Sequence, residues 1–140
     1  MNLRSLAVLA GIALIAGGCV KTESGTHTPA IWFGKDRVPG RYPRSVEEVY
    51  RAAFTVMGRN GVVVQEFIPH DTSNNVRSLY GKVGDEKVWI SVQAEDDPKI
   101  TSIVVEARTK WGNANIELAH ELEKEIALQL QSQSSSPSGS

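Results

Sequence analysis

The chain contains a single cysteine, Cys19, and the residues before it define the chemistry it would undergo. Arg4 gives a short positive start, residues 6–15 form an uncharged apolar run, and Ala16-Gly17-Gly18 precede the thiol. A positive start, a short apolar run and small residues at a cleavage point are typical of a secretory signal peptide. The apolar run is too short for a membrane-spanning helix, which needs about 20 residues. We therefore predict that residues 1–18 are removed and that the chain is exported.

The residues at this cleavage point, Ile15-Ala16-Gly17-Gly18-Cys19, resemble the lipobox of bacterial lipoproteins. The resemblance implies cleavage between Gly18 and Cys19, acylation of Cys19, and anchoring of the chain to a membrane through the acyl chains. Ala16 departs from the Leu that is more usual at its position. Val20 stands where Asp would mark retention in the inner membrane. In a diderm bacterium the resemblance therefore implies the outer membrane, with the domain in the periplasm.

The alternative interpretation is an ordinary signal peptide cut near Gly18, with Cys19 as an incidental free thiol. An unpaired thiol in an oxidising compartment is a liability, which favours the acylated cysteine. Each buried CH₂ of an acyl chain contributes about 0.8 kcal/mol, and one chain alone binds only marginally, so stable anchoring needs several chains.

The charge balance of the mature chain limits its partners. Residues 19–140 hold 14 Lys and Arg against 16 Asp and Glu, because only Arg4 lies before the cleavage point. Binding to nucleic acid depends on a clustered basic surface that releases counterions. The near-neutral balance therefore predicts no nucleic-acid partner. Because Cys19 is the only cysteine, no disulfide can form within the domain, and its stability must come from its own apolar core.

Three histidines and two acidic loops are the remaining candidates for chemistry. No two of His27, His70 and His120 have the four-residue spacing, with a carboxylate beside the pair, that a zinc site would need. His70-Asp71 with Asn74-Asn75 could bind a cation or a small ligand, and Asp96-Asp97-Pro98 could bind calcium. Both segments have the composition of ordinary turns, which is the interpretation we favour. The chain also lacks a Gly-x-Ser-x-Gly elbow and a phosphate-binding glycine loop. We therefore predict no catalytic residue, no metal site and no cofactor.

The composition divides the chain into four parts. Residues 1–18 are the predicted signal peptide, and residues 19–39 are the lipid anchor and a polar tether. The tether includes an apolar segment at residues 30–34, which we expect either to add an edge strand or to pack irregularly. Residues 40–130 carry the periodic apolar patterns of a folded domain. Residues 131–140 hold six serines and no apolar side chain, which predicts a disordered tail.

Two segments of the domain have helical apolar spacing. Ser45 and Glu48 form a capping box that predicts the start of the first helix. Asn60-Gly61 is a suitable stop at its end. A second helix is predicted from about Ala114 to Gln129, with Gly112-Asn113 as its cap. The apolar stripes are Val46, Val49, Tyr50, Ala53, Phe54 and Met57 in the first helix, and Ile116, Ala119, Leu122, Ile126 and Leu130 in the second.

Between the helices lie four runs with the composition of β-strands, at residues 62–68, 76–83, 87–94 and 100–109. If Asp85-Glu86 is the tip of the first hairpin, Leu79 lies opposite Val92. If residues 96–99 form the second loop, Ile103 lies opposite Val92 as well. Both registers place the aliphatic side chains on one face of the sheet. The sequence therefore predicts an α+β two-layer sandwich, in which a four-stranded antiparallel meander carries both helices on one face.

The domain also resembles a group of small bacterial lipoproteins of unknown function, through residues 45–52, Val62-Val63-Val64, Tyr80-Gly81-Lys82-Val83 and the last helix. Gly112-Asn113 stands where those proteins usually have Gly-Asp. The resemblance covers about 90 residues. It implies the fold described above and no established activity.

The sheet face away from the helices is the candidate partner surface. Tyr80, Lys82, Trp89 and Val104 share this face, and the predicted register places Lys82 opposite Trp89, where a cation–π contact can form. Exposed aromatic residues are enriched at protein interfaces. The alternatives are that they only reinforce cross-strand pairing, or that Ile31-Trp32-Phe33 covers them.

We predict a non-catalytic protein-interaction or assembly module that uses this face to bind an envelope protein. One alternative is a binding module for a small envelope lipid or glycan, held between the sheet and the helices. Another is a hydrolase, which would need a pocket that holds His70 or His120 beside carboxylates.

Overall fold

The computed structural model describes residues 34–68 and 76–135, and these residues form one antiparallel sheet and two helices. In chain order the elements are β1 (Val38–Tyr42), α1 (Val46–Asn60), β2 (Val62–Phe67), β3 (Val76–Val83), β4 (Glu86–Ala94), β5 (Thr101–Arg108) and α2 (Ile116–Ser134). The strands lie in the order β1-β5-β4-β3-β2. Both helices pack on the same face of the sheet, which confirms the predicted α+β class.

The sheet has five strands where the sequence predicts four. The additional strand is β1, whose Val38 lies opposite Val105 of β5. It begins inside residues 19–39, which we predicted to be anchor and tether. Pro39 and Gly40 explain why the pattern does not indicate a strand, since both residue types are depleted in strands. Proline is tolerated because β1 is an edge strand. Glycine fits at position 40 because a Cβ there would lie 2.5 Å from Glu123 Oε1 and 2.9 Å from Ile103 Cγ2, so that these side chains would have to move.

Helix α1 begins at the predicted capping box. The Glu48 N–H donates to Ser45 Oγ at 3.3 Å, and the Ser45 N–H donates to the Glu48 carboxylate at 3.0 Å. The predicted apolar stripe is wrong at Phe54, which is 40 % exposed. Ala52 and Val56 are fully buried instead, because α1 packs against α2 as well as against the sheet.

Helix α2 begins at Ile116, two residues later than predicted, and its cap is Asn115 rather than Gly112-Asn113. The Asn115 Oδ1 accepts from the Leu118 N–H at 3.0 Å. The Asn115 N–H donates to the Ala107 carbonyl at 2.8 Å, so the start of the helix is connected directly to β5.

The same helix ends at Ser134 rather than near the predicted Gln129. It therefore continues into residues 131–140, which we predicted to be a disordered tail. Residues 136–140 lie outside the described residues.

The apolar core fills the space between the helices and the sheet. Its fully buried members come from both helices and from the three central strands, and each is at most 1 % exposed: Val49, Ala52, Ala53, Val56, Met57, Leu79, Val88, Ile90, Val92, Ile103, Val105, Ala107, Ala119, Leu122 and Ile126. In the described parts of the chain, neither helix is both long and apolar enough to span a membrane.

The two central hairpins differ in how well the sequence predicts their registers. The β4–β5 register is confirmed, because Val92 lies opposite Ile103. The β3–β4 register is shifted by two residues, so that Leu79 lies opposite Ile90 rather than Val92. The turn contains only Gly84 and Asp85, with Gly84 at φ 59°, a left-handed conformation that favours glycine. A two-residue shift leaves every side chain on its predicted face.

Candidate interaction surface on the open sheet face

An aromatic pair lies at the centre of the open face, by which we mean the sheet face turned away from α1 and α2. Tyr80 of β3 lies directly opposite Trp89 of β4, with 5.1 Å between the ring centroids and 31° between the ring planes. Trp89 is 36 % exposed. Aromatic pairs of this geometry contribute about 0.5–1.5 kcal/mol beyond the area they bury. The pair therefore presents a preorganised aromatic surface to solvent.

Lys82 lies on the open face as predicted, but it is not beside Trp89. It lies opposite Lys87, two residues along the strand from the aromatic pair. The predicted cation–π contact between Lys82 and Trp89 is therefore wrong. The error comes from the turn, because the two-residue loop brings Tyr80 rather than Lys82 across from Trp89.

A depression of about 330 Å³ lies beside the aromatic pair. Val104 is only 6 % exposed although it faces away from the core. The depression is lined by Val104 together with Trp89, Ser91, Glu106 and Arg37. Val104 lies opposite Ser91, and Glu106 lies opposite Trp89, as the sequence predicts. An apolar floor with an aromatic wall and polar rim is the arrangement found in binding clefts.

Charged side chains form one side of this depression. The Arg37 Nε donates to Glu106 Oε2 at 2.7 Å, and the Arg108 Nε donates to Glu106 Oε1 at 2.6 Å. The hydrogen bond to Glu106 is the largest of the influences that raise the pKa of Arg108 above its ordinary value. Asp36 Oδ2 lies 3.7 Å from Arg108 Nη2. Exposed ion pairs contribute little alone, but a network holds its members in one geometry.

The rest of the open face is polar. Ser78 and Ser91 lie opposite each other with 3.1 Å between their hydroxyl oxygens. At the far end of the strands, the Arg41 guanidinium and the Ser102 hydroxyl both donate to Glu95. The hydrogen bond from Arg41 is the main influence that lowers the pKa of Glu95, and burial opposes it. This end of the face therefore satisfies its charges internally.

A second depression, of about 500 Å³, lies between the β3–β4 turn and the start of α2. Its acidic lining residues are Asp85, Glu86, Glu117 and Glu121. The Asn115 Nδ2 donates to both carboxylate oxygens of Glu86, at 2.8 and 2.9 Å. Within residues 34–68 and 76–135, no three side chains from His, Cys, Asp and Glu converge in a way that could hold a metal ion.

Several of the sequence candidates cannot be assigned a position in the fold. Cys19, Gly18, His27, His70 and the segment Ile31-Trp32-Phe33 lie outside the described residues. His120 is exposed on α2.

The sequence pattern does not indicate that Arg37 belongs to the open face. Its role depends on β1, which carries it to Glu106 across a separation of 69 residues, and no local pattern indicates that pairing. A strand prediction for residues 38–42 would have found it, because Arg37 would then precede an edge strand beside β5.

Neither a protein-family model, nor a curated protein, nor a solved structure matches this chain. The open face itself is therefore the basis for any proposed function. Its aromatic pair offers apolar contact area, and the Arg37–Glu106–Arg108 network offers charged donors and acceptors at the edge of that area.

Proposed function

We propose that the chain is a non-catalytic lipoprotein of a bacterial envelope, anchored through acyl chains on Cys19, whose open face binds a protein partner. The observation that carries the proposal is the Tyr80–Trp89 pair beside the depression over Val104. Tyr, Trp and Arg are the residues most enriched at the energetic centres of protein interfaces. Here all three types lie within one small area.

The shape of the surface supports a protein rather than a reaction centre. Trp89 already packs against Tyr80, so less side-chain entropy would be lost when a partner covers it. Val104 and Trp89 line the depression beside Tyr80, and Arg37 and Glu106 can supply hydrogen bonds at its edge. Such a centre, surrounded by polar residues such as Ser78 and Ser91, has the anatomy of a standard interface.

The anchoring part of the proposal has its own test. Mass spectrometry of the amino-terminal peptide should show cleavage before Cys19 and acylation of that residue. The Cys19→Ala chain should lose both the acyl mass and the membrane fraction. A mature chain that begins elsewhere or carries an unmodified Cys19 would contradict this part alone.

The binding part is tested by co-purification from envelope extracts, with the partner identified by mass spectrometry. The double variant Tyr80→Ala, Trp89→Ala should lose that partner while its thermal unfolding remains cooperative. The matched control is Phe54→Ala, Leu128→Ala, which removes two exposed apolar side chains from the helix layer. If both double variants retain the partner equally, the open face is not the binding surface.

A further inference from the structure

The end of the sheet that contains the β3–β4 turn carries a row of cations. Lys82 of β3 lies opposite Lys87 of β4, and Lys87 lies opposite Arg108 of β5. Like charges placed directly opposite each other destabilise a sheet. Arg108 is neutralised by Glu106 and Asp36. Among the described residues, however, no carboxylate lies within ion-pair distance of Lys82 or Lys87, so these two charges are left for an external anion.

An exposed tryptophan lies at the same end. Trp111 is 80 % exposed, and the ammonium group of Lys110 lies 5.3 Å from its ring centroid. Both residues belong to the loop that follows β5. That loop is closed by hydrogen bonds from the Gly112 N–H to the Thr109 carbonyl at 2.9 Å, and from Arg108 Nη1 to the Gly112 carbonyl at 3.1 Å. The tryptophan is therefore held outward by a structured turn rather than by a loose segment.

The chain enters the domain at this end as well. Val38 pairs with Val105, so the residues before β1 run towards Arg108, and Asp36 reaches to within 3.7 Å of it. Only residues 20–33 separate the first described residue, Gly34, from Cys19. At about 3.6 Å per residue, this segment can span at most about 50 Å.

We propose that this end of the domain, defined by Lys82, Lys87, Lys110 and Trp111, docks on an anionic phospholipid surface. Lysines near such a surface are attracted by its negative potential, and tryptophan partitions to the headgroup level. The location of the docking rests on the anchoring proposed above, whereas the affinity for lipid does not. We infer an anionic lipid as the ligand because its charge is opposite to that of lysines that have no carboxylate partner among the described residues.

The distribution of acidic residues orients the contact. Glu86, Glu117 and Glu121 line the depression on the helix side of the same sheet end, and Asp85 lies in the turn between the two sides. An anionic surface therefore attracts the open-face side of this end and repels the helix side. The Tyr80–Trp89 pair lies two residues farther along the strands, about 7 Å from the cation row.

The test uses the mature chain from residue 19 with Cys19→Ser, so that no acyl group contributes to binding. Co-sedimentation is measured with vesicles of phosphatidylcholine mixed with phosphatidylglycerol, and with pure phosphatidylcholine vesicles. We expect binding to the mixed vesicles, weakened by added salt, and much less to the neutral ones. Lys82→Gln with Lys87→Gln should weaken binding about 30-fold, or about fivefold for each lysine.

The matched control is Lys99→Gln with Lys124→Gln, which makes the same charge change on exposed residues elsewhere. Equal loss in the control, or equal binding to neutral vesicles, would overturn the proposal. Binding to polyglutamate as tight as to the mixed vesicles would also overturn it, in favour of an acidic protein. In a chain that also carries Trp32→Phe, fluorescence quenching by brominated lipid should disappear in Trp111→Phe and persist in Trp89→Phe. The reverse pattern contradicts the docking geometry. A negative result in these vesicle experiments would contradict neither the acylation of Cys19 nor partner binding by the open face.

Discussion

The two faces of the sheet are built from alternate residues of the same strands, yet they are packed in different ways. On the helix side, Leu79, Val88 and Ile90 are at most 1 % exposed. On the open side, their neighbours Tyr80 and Trp89 face solvent and contact each other. Because side chains alternate along a strand, one face can provide stability while the other remains available for the recognition that we propose. Changes on the open face should therefore affect binding far more than folding.

Val104 is the exception that makes the open face more than a solvated surface. It is only 6 % exposed, and it lies between Pro39 of β1 and Ser91 of β4 in a depression that Trp89, Arg37 and Glu106 also line. The helix side of the sheet is thus a closed apolar core, whereas the open side has a depression that is accessible to solvent.

The largest effect is expected from the closed face. Ile90→Ala removes a fully buried side chain from the centre of β4 and should lower the free energy of unfolding by about 2–5 kcal/mol. Urea unfolding measures the loss. The adjacent Trp89→Ala provides the comparison within one strand, and a loss as large as that of Ile90→Ala would mean that the open face carries the fold as well.

A smaller effect is expected from adding a methyl group to the closed face. A Cβ at Gly81 would lie 2.6 Å from the Val62 carbonyl oxygen and would also clash with Met57. Gly81→Ala should therefore destabilise the domain by about 1–3 kcal/mol, as overpacking does. The control is Gly58→Ala in α1, where nothing lies within 4 Å of the new methyl group. That substitution should stabilise by about 0.5–1 kcal/mol through helix propensity. Thermal unfolding that moved both variants in the same direction would contradict this packing.

The aromatic pair should show a modest coupling energy. In a double-mutant cycle on Tyr80→Ala and Trp89→Ala, we expect an interaction of about 0.5–1.5 kcal/mol in the free energy of unfolding. Each variant should stay folded at room temperature. Strict additivity would indicate that the rings do not contact each other in solution. The open face would then have no preorganised aromatic surface.

The smallest effect is a dependence of stability on pH at the far end of the open face. The folded-state pKa of Glu95 is lowered, chiefly by the hydrogen bond from Arg41. A lowered folded-state pKa contributes stability above the unfolded-state pKa, and this contribution is lost as the pH falls through the folded value. Glu95→Gln should therefore reduce the acid sensitivity of unfolding below about pH 4.3, the ordinary value for glutamate. Acid titrations that coincide for the two proteins would show that this hydrogen bond adds nothing.

The sequence predicts those parts of the fold that depend on local pattern. The capping box at Ser45, the burial of Ile90 and Ile103 on one face, and the β4–β5 register all follow from spacing that neighbouring residues define. The features of the fold that the sequence does not predict depend on contacts with residues that are distant in the chain. Strand β1 becomes a strand only because β5 lies beside it, and Asn115 caps α2 because its backbone is bonded to Ala107.

The candidate site shows the same division. Tyr80, Trp89 and Val104 could be placed on one face because a two-residue error in register preserves the face. The error nevertheless changed the neighbour of Trp89 from Lys82 to Tyr80. Arg37 could not be placed at all, because its contact with Glu106 joins residues far apart in the chain.

The most direct test of the open face as a protein-binding surface is photo-crosslinking in cells that make the full-length chain. Benzoylphenylalanine at position 80 should crosslink one protein partner, and this crosslink should disappear when Trp89→Ala is added. The same probe at position 54, an exposed aromatic position on the helix layer, should not capture that protein. A crosslink that forms equally well from position 54, or that survives Trp89→Ala unchanged, would contradict partner binding by the open face.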